Sequence, residues 1–439
     1  MAAARSTDRI PLRHVAAVSI GNGLEFYDFL TFSLFAVYIA GAFFPGHDPT
    51  QKLYASLATF WAGFLTRPVG AMVLGPLGDR IGRKPAMLIS FTLIGAGMLG
   101  LALTPTYAQI GVAAPILAVS FRLVQGFALG GNVGPTTAYM LEAAPPARRG
   151  FYAAFQYTSQ GAAILGSGLA GWILARVLSP HDLAAWGWRL AFLLGVIIVP
   201  FGIWMRSALP ETLFAAADAA EAPDAPSRVR AGGPIRRHVR VIVCGFALLV
   251  CGTISTYVVL YMTTYALDNL RLPASVAFGV SIINALATII FSTFGGWLSD
   301  RTGRKPVMLV GSLAAMAVSW PAFWAITHYP GAATLFIGVG LISVLASIAS
   351  APVIVTLTEE LPAPIRAGGV AIVYAFAISV FGGATQLVLA KAIHATGQPM
   401  APGWVLTAVF ALSVPAILAI RESAPVKAGN LGAAAEPAG

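Results

Sequence analysis

Apolar stretches of roughly 20 residues, the length that crosses about 30 Å of hydrocarbon, recur along almost the whole 439-residue chain, separated by short polar joins. Such a chain has few ways to fold, because lipid cannot hydrogen-bond a bare backbone and only helices or a closed barrel satisfy it. The stretches are long and continuously apolar, whereas barrel strands would run about ten residues with alternating character, so the sequence predicts helices. With 57% hydrophobic and 10% charged residues and a mean hydropathy of +0.79, a soluble domain with a solvated surface is excluded. The expected class is an all-α membrane protein of twelve transmembrane helices, with spans near 15–42, 52–77, 85–104, 108–142, 151–178, 187–208, 239–266, 274–298, 306–326, 332–358, 367–394 and 402–420.

Charge placement gives the orientation. About 20 Lys and Arg fall in loops on the side holding both termini and about 5 on the other, which puts both termini in the cytoplasm. This asymmetry accounts for the formal charge of +10, so no nucleic-acid partner is expected. Arg5, Arg9 and Arg13 lead into a span too long for the apolar core of a cleavable signal, and the first helix is read as its own targeting signal. Cys244 and Cys251 stand seven residues apart on one helix, too far for a disulfide bond, and read as small core residues.

The chain also repeats itself. GPLGDRIGRKP (Gly75 to Pro85) returns as GWLSDRTGRKP (Gly296 to Pro306), 221 residues on. Glu142, Pro146, Arg148 and Gly150 return as Glu360, Pro364, Arg366 and Gly368, offset by 218. The expected organisation is a six-helix bundle over 1–208, a polar linker over 209–237 rich in Ala, Pro and Asp, a second six-helix bundle over 238–423 and a disordered tail over 424–439.

The two D-R-x-G-R-K blocks and Arg122-x-x-Gln125-Gly126 resemble signatures of the major facilitator superfamily. GNGLEFYDF (Gly21 to Phe29), AFFP (Ala42 to Pro45), TRPVGA (Thr66 to Ala71), WGWRLAF (Trp186 to Phe192) and LPET (Leu209 to Thr212) are similar to its metabolite:proton symporter family. The run VSIGNGLEFYDF and the context from Gly382 to His394 resemble the citrate and tricarballylate proton symporters of that family. The resemblance spans nearly the full chain and implies two pseudo-symmetric bundles, alternating access, a monomer in a bacterial inner membrane and no cofactor beyond the coupled proton. It implies that Asp79 and Arg83 with Glu142, and Asp300 and Arg304 with Glu360, are ion-paired cytoplasmic gates. Two positions depart from the citrate-type pattern: Asn132 stands where a glutamate is usual, and Gln386 where a proline is expected. Losing a carboxylate from the fourth span would change proton stoichiometry or the preference among anions.

Charged residues at bilayer depth point to the site, since each costs roughly 2.5–3.5 kcal/mol on insertion scales. Glu25 and Asp28 share a face of the first span with Asn22. Arg67 lies twelve residues before Asp79, about 18 Å along a helix, and Glu25 twelve residues after Arg13, so the two sit at similar depth; Arg122 completes the set. The bland reading is that these charges pair to hold helices together. Four penalties of that size argue instead for a solvated cavity, in which Arg122 and Arg67 grip solute carboxylates while Asp28 or Glu25 carries the coupled proton. Tyr27, Gln156, Gln160, Tyr257, Tyr261, Asn284, Tyr374 and Lys391 are further lining candidates, each with helix packing or, for Lys391, snorkelling to the interface as its plain alternative.

The expected function is proton-coupled symport of a small organic acid, citrate or a related di- or tricarboxylate. A dicarboxylate, a shikimate-like acid or a betaine-type zwitterion is the alternative solute, and a non-transporting receptor a remote one. No HExxH, paired Cys or His/Asp pair offers an intramembrane enzyme its chemistry or a metal its ligands.

Overall fold

The computed structural model describes residues 12–81, 83–130, 144–208, 239–360 and 374–427. Among them the regular structure is entirely helical. Ten helices are long and apolar enough to cross a membrane, eleven when the bent pair Ser19–Leu34 and Ala36–Phe43 counts as one span. Arg149–Val177, itself 29 residues long, completes twelve. Its lower hydropathy comes from Gln156, Ser159, Ser167 and several glycines, which this helix buries against its neighbours. The whole of the expected linker over 209–237 lies outside the described residues, as does the tail from 428 onward.

In chain order the first span is Leu12–Leu34 with Ala36–Phe43, the second Pro49–Leu65 with Arg67–Ile81, the third Arg83–Leu103 and the fourth Ala113–Gly130. The fifth is Arg149–Val177, and the sixth runs from Pro180 to Ala208 through a π-turn at Leu183–Gly187. In the second half the seventh to tenth spans are Val239–Asp268, Ala274–Thr302, Arg304–His328 and Ala332–Glu360. The eleventh enters the described residues at Tyr374, passes a π-turn at Ile378–Gly382 and ends with Gly383–Thr396; the twelfth is Ala401–Ala419. The end of the molecule where Ala208 and Val239 lie is called the linker end, and the opposite one the far end.

Local sequence explains the breaks. The second span starts at Pro49, a favoured first helical residue, with the Asp48 carboxylate accepting from Thr50 N at 2.9 Å. It loosens at Thr66, because Pro68 has no N–H to give back to the helix. The Thr66 hydroxyl donates to the carbonyls of Gly63 and Leu123, both at 3.0 Å, and so ties the break to the fourth span.

Glycines set how closely helices approach. A Cβ on Gly126 would collide with the Gly63 carbonyl, one on Gly70 with that of Phe127, and one on Gly130 with that of Arg67. The second and fourth spans are thereby pressed backbone to backbone, and Arg67 and Arg122 come together. The fifth and eighth spans pack along their length across the halves, where side chains on Gly150, Gly168 or Gly171 would strike Arg304, Ser281 or Phe278. The eleventh span meets the second at Gly383, beside Trp61, and Trp61 Nε1 donates to Ser379 O at 3.2 Å. Outward-facing apolar side chains such as Met72, Val310 and Val388 are exposed, as helices bathed in hydrocarbon require.

Replacing Gly126 with Leu is expected to push the second and fourth spans apart at a cost of about 1–3 kcal/mol or more, seen as a lower melting temperature of the purified protein in detergent; the exposed Gly41→Leu serves as control.

Candidate functional site

Asn22, Glu25 and Asp28 form one buried stripe on the first span, at 2%, 3% and 0% exposure. The Asp28 carboxylate meets Arg122 Nη1 at 3.2 Å, and the same nitrogen donates to Gln125 Oε1 at 3.1 Å. Gln125 is one turn along the fourth span from Arg122, and the absence of a side chain at Gly97 on the third span leaves it room. The Arg122 guanidinium lies 3.7 Å from the centre of the Phe29 ring, 4.6 Å from Phe32 and 5.3 Å from Phe60. A desolvated cation over such faces gains about 2 kcal/mol or more, which offsets part of its burial.

Arg67 is held differently. Its guanidinium lies 4.2 Å from the Phe29 centroid and 4.1 Å from that of Phe64. Among the described residues it makes no hydrogen bond or ion pair, and Nε and Nη2 are both buried without a partner. Tyr257, Tyr374, Asp28 and Glu25 are the ionisable groups of opposite or potential negative charge within electrostatic reach of it. Two cations and at least one carboxylate thus surround a single phenyl ring.

A polar line continues across to the fifth span. Asn22 Nδ2 donates to Ser159 Oγ at 2.6 Å, and Gln156 Nε2 donates to Asn22 Oδ1 at 3.4 Å. Gln156 and Gln160 lie beside the Tyr374 hydroxyl across the halves, and Gln156 Oε1 is buried without a partner among the described residues. Beside them a cavity of about 50 Å³ opens between the bundles, bordered by Phe26, Leu30, Tyr157, Gln160, Tyr257 and Tyr374. It has room for one or two waters and none for an organic acid, so a solute enters only when the bundles part. Toward the far end the halves are closed by Phe35 against Phe278, ring centres 4.7 Å apart, and by Gln386 donating to Ser33 Oγ at 2.6 Å.

Several expected lining residues lie elsewhere. Tyr27 turns away from Asp28, one residue being 100° of helix, and its hydroxyl donates to Ala191 O on the sixth span at 2.9 Å. Tyr261 is in the apolar core of the second half, next to Tyr265 at 6.5 Å and one turn away from the cavity-facing Tyr257. Asn284 faces its own helix, within 3.5 Å of Thr288 Oγ1. Lys391 occupies a separate groove at the far end, of about 480 Å³, with its ammonium 5.7 Å from the Tyr54 ring; nearby His394 approaches Asp268 at 3.4 Å.

The linker-end gate also differs from expectation. Arg304 pairs with Asp300 at 2.6 Å and with Glu359 at 3.2 Å, not with Glu360. Glu360 is one residue, and 100°, further round, within electrostatic reach of Arg421, Arg240 and Lys305. Asp300 reaches across the halves: its two oxygens accept from Gly150 N at 2.9 Å and Phe151 N at 2.8 Å, capping the N-terminus of the fifth span. The chain beyond the last span joins in. Glu422 accepts from the backbone of Arg304 at 2.7 Å and of Lys305 at 3.1 Å, and the Ser423 hydroxyl donates to Glu359 at 2.7 Å. Of the first gate, the side chains of Asp79 and Arg83, and Glu142 altogether, lie outside the described residues, as does Asn132.

The family description Major Facilitator Superfamily matches residues 26–287, and the description Sugar (and other) transporter matches residues 230–419. The chain belongs to the major facilitator superfamily. Among curated relatives of this facilitator is the citrate-proton symporter of Klebsiella pneumoniae, 34% identical over 391 residues, covering 89% of this chain and 87% of that one. The alpha-ketoglutarate permease of Escherichia coli (strain K12) is 32% identical, covering 90% of each chain. The proline/betaine transporter of Salmonella typhimurium is 29% identical, covering 93% of this chain and 83% of its own. A crystal structure of a D-xylose-proton symporter superposes with a TM-score of 0.75 at 18% identity, covering 94% of this chain and 98% of that chain, and shares the fold.

Removing the Asp300 carboxylate uncaps two amides at the start of the fifth span, a loss of about 1–2 kcal/mol. In Asp300→Ala, hydrogen exchange over residues 149–156 is expected to quicken by about tenfold relative to the wild type.

Proposed function

We propose that this facilitator is a proton-coupled symporter of a small organic acid, citrate or a related di- or tricarboxylate, working by alternating access. The observation that carries the reading is the buried Asp28–Arg122 pair beside the unpaired Arg67, at the meeting of the first, second and fourth spans. Asp28 is the proton carrier in this reading. Ionised, it holds Arg122 through one oxygen while the other has no partner among the described residues; protonated, it loses the ionic contact and releases Arg122. Glu25, on the same stripe, is the second candidate carrier.

Membrane physics requires such a device. An inside-negative potential opposes each entering negative charge by about 2.3 kcal/mol per 100 mV, so accumulation of a polyanion needs enough protons to neutralise it. The citrate-proton symporter and alpha-ketoglutarate permease among the relatives support an organic acid, and the two guanidiniums over Phe29 support an anion. A zwitterion is the second reading, favoured by the proline/betaine relative and by a site walled with phenyl rings. The excess of Lys and Arg at the linker end supports an inner-membrane placement with both termini cytoplasmic, and the family resemblance suggests a monomer.

In liposomes, uptake of labelled citrate is expected to depend on an inward proton gradient and to be displaced by unlabelled di- and tricarboxylates more strongly than by betaine; displacement by betaine alone selects the zwitterion. Asp28→Asn is expected to abolish gradient-driven accumulation while exchange of solute for solute continues. Unchanged accumulation removes Asp28 from the coupling step.

A further inference from the structure

We infer that Arg67 anchors one ionised carboxylate of the solute, and that the solute's remaining acid groups enter the site in neutral form. This rests on the organic-acid reading above and states which charge state of that solute the site accepts.

The two buried arginines are not equivalent. Arg122 is wholly buried, its charge answered by Asp28 at 3.2 Å and its Nη1 shared with Gln125. Its Nε and Nη2 also lack hydrogen-bond partners among the described residues, but the Nε edge is walled by the second span, 3.2 Å from where a Cβ on Gly63 would lie. Arg67 has neither restraint. It is 6% exposed, makes no hydrogen bond or ion pair among the described residues, and leaves Nε and Nη2 bare. Those two nitrogens form one flat edge of the guanidinium, the edge that takes both oxygens of a carboxylate at once. Phe29 and Phe64 hold the plate by its faces, 4.2 and 4.1 Å away, so the free edge is fixed in direction before any ligand arrives. The hydroxyl-bearing residues within electrostatic reach of Arg67, Tyr257 and Tyr374, are ones that border the cavity.

The rest of the lining is uncharged. Gln160, Tyr257, Tyr374, Thr253, Thr256 and Ser350 border the cavity, with Gln156 behind Tyr374. Each can donate to or accept from a carboxylic acid or a hydroxyl, and none answers a negative charge. Among the described residues no cation borders the cavity itself, so Arg67, next to Tyr257 and Tyr374, is the cation at hand; Lys391 is in its own groove at the far end. While Asp28 holds Arg122, one bare guanidinium in a low-dielectric site neutralises one carboxylate, and a second ionised group there would be buried without a partner.

The test uses the full chain in liposomes and probes that vary one charge at a time: α-ketoglutarate, its monomethyl ester, which keeps one carboxylate, and its dimethyl ester, which keeps none. Against labelled citrate the monoester is expected to compete within about threefold of the diacid and the diester not at all. Arg67→Gln is expected to raise the citrate KM by about 100-fold, and Arg67→Lys, which keeps the charge but loses the two-pronged edge, by about tenfold. Melting temperatures of both variants check that they fold, and the ester competition tests the wild type without any substitution. Competition by the diacid but not by the monoester, or an unchanged KM in a folded Arg67→Gln protein, overturns the inference and leaves organic-acid symport standing. A wild type that neither binds nor takes up any of the acids overturns both.

Discussion

Two guanidiniums share one phenyl ring at the centre of this protein, and much of the first bundle is arranged to make that possible. A charged side chain in hydrocarbon persists only if something answers it. Arg122 is answered by a carboxylate, an amide and three rings, Arg67 by two rings and neighbouring polar groups. Neither arrangement could form if the second and fourth spans stood at an ordinary helix separation. The glycines at 63, 70, 126 and 130 let the backbones touch, and the break at Thr66 fastens that contact with hydrogen bonds to both helices.

The linker end solves a related problem with different groups. There the bundles are joined by a carboxylate that caps a helix of the opposite half, and Arg304 keeps that carboxylate in place. The positive end of the fifth span is a partner that needs no side chain, so residues 150 and 151 stay free to be Gly and Phe. Glu422, at the foot of the ninth span, fixes where Arg304 begins its helix. Such a contact can be broken and remade when the halves rock, because it consists of a few charge-assisted bonds.

Much of this was legible in the sequence. Hydropathy alone gave the helical class, and the 221-residue repeat gave the two halves. Charges at bilayer depth pointed to Glu25, Asp28, Arg67 and Arg122 as one set; of these Asp28 pairs with Arg122, and both guanidiniums lie over Phe29. What was not legible was helical phase relative to a partner. Glu359 and Glu360 differ by one position and only one reaches Arg304, and Tyr27 beside Asp28 faces a different helix. Tyr257, Tyr261 and Tyr265 look alike at four-residue spacing, yet they run from the cavity border into the core of the second half. The part played by Phe29 had a faint signal, since it stands next to Asp28, but a phenylalanine in an apolar span carries no mark that sets it apart from ordinary core.

The glycine contact between the second and fourth spans also fixes how labour is divided between two halves of common design. Helices pressed backbone to backbone cannot slide past each other, so both arginines travel as one rigid piece through any rocking motion. The position 221 residues after Arg67 is Thr288, and the position 218 after Arg122 is Gly340; the second half therefore carries neither cation. A duplicated chain has become a polarised one, with charge seated on one wall and uncharged hydrogen-bonding groups on the other. The geometry around the ion pair can stay constant while the wall opposite it comes and goes.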